Sequence, residues 1–329
     1  MHDDFQHLTD QYRRELTVHC YRMLGSLEDA EDALQETLLR AWRRLDTLQT
    51  RSSLRAWLYR IATNVCLDLL GQRKARSLPN LLFAAANPQG PLPAPIDDPI
   101  WLDPLPDSYL AAPGPDPDPA ARYEARESVT LAFLTTLQQL PPRQRAVLIL
   151  RDVLGWRANE VAQLLDLTQV AVNSALQRAR ATLKRLNGAQ SFATTVRSDD
   201  AQTASLLERY VRAWETADLA GLVALLREDA TLTMPPLPAW YRGRDAIRAF
   251  YAGYLFAGQA QGRYRLLATR ANGCLAYAVY QRGEDGVFHP AALQVLGIAG
   301  GQIGRVDTWP LGDERLLERF ELPKVLSDR

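Results

Sequence analysis

The sequence from Leu140 to Asn187 is LPPRQRAVLILRDVLGWRANEVAQLLDLTQVAVNSALQRARATLKRLN. Its pattern predicts a series of helices with short breaks between them. Pro142 stands where the first turn of a helix tolerates proline, and Gly155-Trp156 interrupts the helix that follows. A short helix over 158–166 then meets a tight turn at Leu167-Thr168, after which a longer helix begins. Two helices joined by so short a turn form a helix-turn-helix pattern, which is typical of proteins that place the second helix in the DNA major groove.

The charges of this stretch suit a nucleic acid. It carries eight basic residues against three acidic ones, and its last helix has four basic residues and no acidic one. The side chains that can neutralise phosphates there are Arg178, Arg180, Lys184 and Arg185. Those that can bond base edges are Asn173, Ser174 and Gln177. A basic amphipathic helix can equally form the solvated face of a bundle, so the pattern alone leaves both interpretations open.

Two further helices are predicted nearer the N-terminus. Ser26 stands three residues before Asp29, as at a capped helix start, and apolar residues recur every three or four positions from Ala30 to Leu45. Another face of that helix carries Asp29, Asp32 and Glu36, beside Gln35 and Leu39. The next helix begins near Ser53, and the face opposite its apolar stripe carries Trp57, Arg60, Asn64 and Asp68.

Proline separates these helices from the helix-turn-helix stretch. Twelve of the 20 prolines lie between Pro79 and Pro119, a density that opposes helix and central strand and predicts an extended linker over 77–120. Between Ser77 and Glu127, eight acidic residues and two basic ones leave six excess negative charges. A weaker seam lies near 187–203. The predicted segments are therefore 1–76, the linker 77–120, 121–187 and 203–329.

The last segment has a different pattern. Helices are predicted at 204–217, 219–227 and 244–255, with a strand at 230–234 and an aromatic loop around Trp240 and Tyr241. Four strand-like runs follow between 264 and 309, separated by turn signals such as Asn272-Gly273. Helices followed by an antiparallel meander predict an α+β domain. The fold class is thus multidomain, with two all-α helical domains and a C-terminal α+β domain.

The composition of the chain excludes several classes of protein. Lys and Arg together number 38, as do Asp and Glu, and a net charge of zero excludes a uniformly basic nucleic-acid coat. No apolar run approaches the ~18 residues of a membrane span, and the polar N-terminus is unlike a secretory signal. Cys20, Cys66 and Cys274 form no C-x-x-C pair, and the four histidines lack ligand spacing. We therefore predict a cytoplasmic protein without a metal or cofactor.

Three motifs, in combination and in order, resemble the bacterial σ70 family of RNA polymerase sigma factors. They are DAEDALQETLLRAW (29–42), LRAWLYRIATNVCLDLL (54–70) and the helix-turn-helix stretch of 140–183. The resemblance is nearer to the extracytoplasmic-function group, which keeps only regions 2 and 4. Residues 203–329 resemble the SnoaL-like (NTF2-like) cone, and Trp101-Leu102-Asp103-Pro104 resembles a Trp-Leu-x-Pro motif of the subgroups with that domain. The resemblance implies a transcription initiation factor, not an enzyme, modulated by its own cone.

The resemblance also implies the sites. Core RNA polymerase would be bound at the β′ clamp helices and the β flap, and the positions that match the clamp-binding helix are Asp32, Gln35, Glu36 and Leu39. Trp57 and Asn64 match the −10 recognition segment, where a non-template base is flipped out of the stack. The −10 phosphate ligands would be Arg60, Arg73, Lys74 and Arg76. The −35 positions are Val170, Ala171, Asn173, Ser174, Gln177 and Arg178.

Several alternatives stay open at this point. Trp57 could pack in the core beside Leu58 and Ile61. Asn173 stands where many relatives carry a base, so the −35 sequence cannot be copied from better-known members. The acidic linker would either thread the RNA-exit path, with its acids mimicking nucleic acid, or serve as a solvated tether.

The cone offers a candidate pocket and a second class of function. The candidate general bases there are Asp229, His289 and Asp307, and a small-molecule ligand is a candidate partner. The candidate pocket walls are Trp214, Trp240, Tyr241, Tyr251, Tyr254 and Trp309. Related folds use a pocket carboxylate as general base, so one rival is an isomerase or hydrolase with a DNA-binding targeting module. Another is a stand-alone helix-turn-helix regulator, which leaves the acidic face of 29–42 unexplained.

Overall fold

The computed structural model describes residues 2–48, 53–96, 98, 100–110, 128–187, 201–258, 260–312 and 314–327. The chain divides into two compact units: Met1–Ser77 with Pro99–Ser191, here the helical unit, and Leu78–Asp98 with Phe192–Arg329, here the cone unit. The Pro-rich segment is thus shared between the units. Its residues 111–120, and the seam at 188–200, lie outside the described residues, and the four predicted segment boundaries stay a prediction.

Among the described residues, the helical unit has seven α-helices, five of which carry the predicted motifs. They are α1 (His2–Leu24), α2 (Leu27–Arg43), α3 (Leu54–Leu70), α4 (Leu131–Gln138), α5 (Pro142–Leu148), α6 (Ala158–Leu164) and α7 (Gln169–Asn187). As predicted, Ser26 caps α2, because its side-chain oxygen accepts a hydrogen bond from the amide of Asp29. The predicted helix from Pro142 to Leu154 is α-helical only to Leu148 and continues as a π-helical turn over Ile149–Val153.

The helix-turn-helix forms as the sequence predicts. The Thr168 hydroxyl accepts a hydrogen bond from the amide of Ala171 at 3.1 Å and so caps the start of α7. Asp166, in the turn, has a φ of 52°, a left-handed conformation that Asp tolerates better than most residues. The buried side of α7 consists of Val172, Ala175, Leu176 and Ala179. These four residues fix the helix on the bundle and leave its other side to solvent.

The Trp-Leu-x-Pro segment belongs to this unit. Trp101 bridges to Ser77, and both Trp101 and Leu102 are buried. Gly25 joins α1 to α2 with a φ of +77°, and a Cβ there would lie 2.7 Å from the Leu102 side chain. Glycine is therefore required at this turn both for its backbone conformation and for the close approach of Leu102.

The cone unit packs helices against one face of a six-stranded sheet. Its elements are α8 (Ala201–Glu215), α9 (Leu219–Ala224), β1 (Leu226–Thr233), β2 (Trp240–Arg242), α10 (Arg244–Phe250), β3 (Tyr264–Ala271), β4 (Cys274–Arg282), β5 (Phe288–Ala299), β6 (Gln302–Pro310) and α11 (Glu314–Arg319). The strand order is β2-β1-β6-β5-β4-β3, and β1 runs parallel to β6 while the other neighbours are antiparallel. The α+β prediction is confirmed, with a mixed sheet instead of a simple meander.

Two local predictions in the cone are corrected. The helix predicted over 219–227 ends at Ala224, because Leu226 already begins β1. The predicted aromatic loop contains strand β2, which pairs with β1 through Thr231–Arg242, Leu232–Tyr241 and Thr233–Trp240. The first error arises because an apolar run of this length fits a helix end or a buried strand equally well. The second arises because the three residues of β2 are too few to show the alternation of a strand.

Residues 78–98, here the strap, lie along the cone. The amide of Ala86 donates to the carbonyl of Trp240 at 2.9 Å, and the amide of Ile96 donates to that of Pro236 at 3.0 Å. The strap begins with a helical turn at Pro79–Leu82, where proline stands at the tolerated first position. This part of the predicted linker is therefore neither free of helix nor a plain solvated tether.

None of the described helices is long and apolar enough to cross a membrane. Within the same residues, no cluster of three or more His, Cys, Asp or Glu side chains is placed to hold a metal ion.

Candidate functional site

The outer face of α2 presents the predicted polymerase-binding residues. Asp32, Gln35 and Leu39 are exposed, the last by 43%, and Glu36 is half-buried. The Glu36 carboxylate accepts a hydrogen bond from Arg40 at 2.6 Å, and Arg40 also reaches Asp68 of α3 at 3.0 Å. The result is an exposed, largely acidic face with one apolar side chain at its end, held in place by ion pairs along its edge.

Asp29 does not belong to this face. It is 7% exposed, and its carboxylate is bound by the guanidinium groups of Arg73 and Arg76. Arg76 approaches it with Nε 3.0 Å from Oδ2 and also donates to the carbonyl of Trp101 at 3.1 Å. A buried carboxylate needs such compensation. Arg76, with its side chain 11% exposed, is therefore occupied within the unit, and its predicted contact with a DNA phosphate is not favoured by this geometry.

The predicted −10 residues lie on the outer side of α3. Arg60 and Asn64 are exposed and Trp57 is half-buried, whereas the core positions are taken by Leu58 and Ile61. Trp57 is thus outside the core, contrary to the alternative interpretation of its role. Arg73 and Lys74, beyond the end of the helix, are exposed as well.

Trp57 and Arg60 line a cleft of about 700 Å³ whose other wall is the helix-turn-helix, from Leu154 to Leu164. The guanidinium of Arg60 bonds both carboxylate oxygens of Asp166 at 2.9 Å. Arg55 lies 6.0 Å above the ring of Trp156, which in turn packs on Tyr59 with ring centroids 5.2 Å apart. The predicted −10 segment and the turn of the helix-turn-helix are therefore in direct contact within the helical unit.

Buried polar contacts also join α1 to α4 and α5. The Arg145 side chain of α5 bonds the carbonyl of Met23 in α1, the Gln138 side chain and the carbonyls of Gln138 and Leu140. Arg22 donates to the Ser128 hydroxyl at 2.7 Å. Burial lowers the pKa of Arg145 to about 10, still well above neutral pH. Arg145 is one of the eight basic residues of the 140–187 stretch, but it is 1% exposed and therefore cannot contribute to a DNA-binding surface.

The predicted −35 residues share one side of α7. Val170, Asn173, Gln177 and Arg178 are exposed, with Val170 at 75%, while Ala171 and Ser174 are half-buried. Arg180 is engaged elsewhere, since its guanidinium binds Asp152 at 2.7 and 2.8 Å. The amides of Asn173 and Gln177 thus stand one helical turn apart on an outward-facing surface, at the N-terminal half of the helix.

The residues predicted for a cone pocket are held by other contacts. Asp307 is fully buried, accepts a hydrogen bond from Thr233 at 2.7 Å and has an oxygen 2.7 Å from the Arg305 Nε; burial raises its pKa. His289 is exposed and lies 2.9 Å from Asp285. The indole of Trp240 donates to the strap carbonyl of Phe83 at 2.9 Å, and Tyr254 donates to that of Gly90 at 2.6 Å.

The cone has a different cavity, of about 180 Å³, between its helices and the inner face of the sheet. Its walls include Trp214, Phe250, Tyr251, Tyr264, Gln294 and Thr308. Of the residues predicted for a pocket, only Trp214 and Tyr251 line it. Tyr241 is stacked on Phe250, with ring centroids 4.7 Å apart, while Asp307 and Trp309 flank Thr308 in β6 and point to the opposite side of the sheet. The missed signal was strand parity around Thr308.

Comparison with known protein families divides the chain as the motifs do. Residues 8–76 match the model of sigma-70 region 2, residues 130–183 that of sigma-70 region 4, and residues 207–306 that of the SnoaL-like domain. The chain is 44% identical to the ECF RNA polymerase sigma factor SigG of Mycobacterium tuberculosis over 325 residues, which covers 98% of this chain and 85% of that protein. With SigW of Bacillus subtilis it is 28% identical over 187 residues, 56% of this chain and 88% of that protein.

Among solved structures, the chain is similar in fold to the extracytoplasmic-function sigma factor SigJ of Mycobacterium tuberculosis. The TM-score is 0.60 at 23% identity, and the match covers 98% of this chain and all of the other. The likeness extends through helical unit and cone alike.

Proposed function

This chain belongs to the extracytoplasmic-function sigma factors of bacterial RNA polymerase. On that basis we propose which of its surfaces bind the polymerase and which bind the promoter. The family makes it a promoter-directed transcription initiation factor and not an enzyme, which sets aside the isomerase, hydrolase and stand-alone regulator alternatives. Its partners are core RNA polymerase and promoter DNA. We place it in the cytoplasm with that polymerase.

The outer face of α2 binds the clamp helices of the polymerase β′ subunit. The observation that carries this proposal is the exposed set of Asp32, Gln35 and Leu39 with Glu36, because exposed acids around one apolar side chain suit a basic helical partner. Region 4 takes the β flap as a second contact, as the resemblance implies.

Binding to core polymerase tests this assignment. The double variant Asp32→Arg/Glu36→Arg should bind core polymerase at least about 100-fold more weakly, because it places like charges against the partner. Glu208→Arg/Glu215→Arg on α8 makes the same change in net charge and should bind as the wild type does. If the α2 variant keeps wild-type affinity, the proposed surface is wrong.

Promoter recognition falls to two faces of the helical unit. Trp57 and Asn64 receive a flipped −10 base, by stacking and by an amide hydrogen bond, with Arg60, Arg73 and Lys74 on the phosphates. Asn173 and Gln177 contact −35 base edges in the major groove, and Val170, Ala171, Ser174 and Arg178 complete that surface. Arg76 is not in this set because it is nearly buried between Asp29 and Trp101, whereas the Arg73 side chain, which also binds Asp29, is 46% exposed.

The helical unit must open before it can occupy a promoter. Elements centred at −10 and −35 are separated by roughly 25 base pairs, or about 85 Å of duplex at 3.4 Å per base pair. Arg60 of the −10 face touches Asp166, next to the −35 helix, at 2.9 Å. The two faces cannot reach their promoter elements at the same time while they are in contact. We therefore propose that this structure is a closed form of the helical unit.

The cone modulates this activity within the same chain. Its link to the rest of the machinery is the strap, which hydrogen-bonds to the cone through Ala86, Ile96, Trp240 and Tyr254 and lies in the chain between regions 2 and 4. A small-molecule ligand in the cone would supply the signal for this modulation.

A further inference from the structure

The outward side of α7 carries an uncharged stripe along the first half of the helix. Val170, Asn173 and Gln177 recur at intervals of three and four residues, so they lie along one side of the helix. All three are exposed, and the first charged side chain of α7 is Arg178. The stripe is therefore chemically suited to base edges, whereas the basic second half of the helix is suited to phosphates.

The two amides of the stripe are available for an outside partner. Among the described residues, neither the Asn173 nor the Gln177 side chain has a hydrogen-bond partner, whereas Arg180 further along the helix is bound to Asp152. A primary amide presents a donor and an acceptor side by side, and adenine presents the complementary pair, its N6 donor and N7 acceptor, in the major groove. Guanine presents two acceptors there, cytosine a donor, and thymine an acceptor beside a methyl group. Adenine is thus the base that satisfies both ends of each amide.

Val170 adds an apolar contact to the stripe. It is 75% exposed, more than any other large apolar side chain of the described residues. Valine is also a weaker helix former than most residues, so this side chain contributes little to the stability of the free chain. It gains favourable burial only in a complex, and the apolar group that the major groove offers is the methyl group of thymine.

The spacing of the stripe sets the length of DNA that it can read. A rise of about 1.5 Å per residue places Asn173 about 4.5 Å beyond Val170, and Gln177 about 6 Å beyond Asn173. Base pairs follow one another at about 3.4 Å. For a helix that lies along the groove, the two steps correspond to about one and about two base pairs, and the whole stripe covers roughly four.

We propose that α7 reads three A·T base pairs within the −35 element. Val170 packs on the methyl group of a thymine, and Asn173 and Gln177 each pair with the N6 and N7 atoms of an adenine. The inference rests on the proposed role of α7 at the −35 element and adds the identity of the bases. Arg178 and the basic residues after it bind phosphates and carry no part of this readout.

Selection from a DNA library tests the base assignment. Holoenzyme assembled from the full-length chain and core polymerase would be incubated with duplexes randomised across both promoter elements, and the bound DNA sequenced. The wild type should enrich A·T pairs at the three positions. Asn173→Arg should replace one enriched adenine by guanine, and Gln177→Glu should replace the other by cytosine, because these side chains match those bases. Gln281→Arg, exposed in the cone, makes the same change in charge as Asn173→Arg and should leave the motif unchanged.

Single changes in the selected promoter measure each contact. Replacing either adenine by guanine should weaken binding of the wild-type holoenzyme about 5- to 150-fold, the range of one bidentate contact. Replacing the thymine by uracil removes only its methyl group and should weaken binding about fourfold. With Val170→Ala, which shortens the partner of that methyl group, the uracil replacement should have a smaller effect.

The outcomes separate this inference from the proposed function. Selected G·C pairs at the three positions, or a motif that Asn173→Arg and Gln177→Glu leave unaltered, would overturn the base assignment. A G·C-rich upstream motif that changes with these variants would still leave α7 as the −35 helix. Selection of a −10 motif without any upstream motif would overturn the −35 role of α7 and this inference together.

Discussion

The helical unit and the cone compensate their buried carboxylates in different ways. Asp29 is bound by two arginines, and one of these, Arg76, also holds the carbonyl of Trp101, so three separate stretches of chain meet at one carboxylate. Asp307 is bound by Arg305 of its own strand and by Thr233 of the adjacent strand. The sheet already fixes those strands by backbone hydrogen bonds. Charge therefore holds distant segments together in the helical unit, whereas in the cone it completes a contact that the backbone has made.

The largest expected effect is at Asp29. Asp29→Ala leaves Arg76 nearly buried without its partner, and we expect the free energy of unfolding of the helical unit to fall by about 3–5 kcal/mol in a urea titration. Asp10→Ala, which removes an exposed pair with Arg13, is the control and should change it by less than about 1 kcal/mol. Equal losses of unfolding free energy in the two variants would contradict the role given to the buried Asp29 carboxylate.

A smaller loss is expected at Asp307. Asp307→Asn keeps an acceptor for Thr233 and removes only the charge opposite Arg305, so the cone should lose about 1–3 kcal/mol of unfolding free energy. Asp285→Asn, at an exposed pair, should leave cone stability unaltered. Were Asp307→Asn to destabilise its unit more than Asp29→Ala destabilises the other, the cone would depend on charge as strongly as the helices do.

His19 is a buried titratable side chain of the helical unit that lies near a cation, Arg22, and is paired with no carboxylate among the described residues. Its Nε2 lies 2.9 Å from the Thr63 hydroxyl, and burial, with the Arg22 charge, lowers its pKa from 6.5 to about 3. Between pH 6.5 and 3, His19 is protonated in the unfolded chain but stays neutral in the folded one. The contribution of neutral His19 to the free energy of unfolding is therefore fully present above pH 6.5 and is lost as the pH falls. From pH 7.5 to 5 the loss should be about 2 kcal/mol.

The matched variant for this effect is His19→Gln, which retains a polar group near Thr63 and does not titrate. Urea titrations of both proteins at the two pH values give the contribution of His19 as a difference of differences. A wild type that loses no more stability than the variant on acidification would show that His19 is not held neutral.

The smallest effect is expected at the exposed pair between Arg60 and Asp166. Asp166→Asn removes the charge while keeping a residue that accepts a positive φ, and it should favour opening by about 0.2–1 kcal/mol, at most a fivefold gain in promoter binding by the holoenzyme. Arg60→Ala breaks the same pair but also removes a predicted phosphate ligand, and so should weaken promoter binding. A loss of binding in Asp166→Asn would argue against a closed form held in part by this pair.

The helical surfaces were open to prediction because the helix repeat assigns each residue to a face. Asp32, Gln35 and Leu39 were placed by that repeat and by the family motif, and they are exposed together. Asp29 shows the limit of the argument: it follows the same spacing, but the arginines that cover it come from beyond the end of α3. The burial of Arg145 depends likewise on a carbonyl 122 residues away.

The pocket of the cone was harder to predict because successive side chains of a strand point to opposite faces of the sheet. Asp307 and Thr308 are neighbours, and both look plausible in a pocket, but only Thr308 lines the cavity. Choosing between them requires the register of β5 and β6, where Gln294 pairs with Thr308 and Val295 with Asp307. Trp240 and Tyr254 were predicted to line a pocket, but their hydrogen-bond partners lie in the strap, which composition had described as a linker.

The strap makes the cone unit a domain that is discontinuous in sequence. Its polypeptide is interrupted by region 4, since Leu78–Asp98 and Phe192–Arg329 together form one compact unit. A truncation after Asn187 is therefore not a clean removal of the cone, because it leaves Ala86, Ile96 and the carbonyls of Phe83 and Gly90 without the surface that holds them. Recombination that adds or removes such a domain must fit both pieces at once. An engineered exchange of cones between relatives should accordingly carry the strap with it.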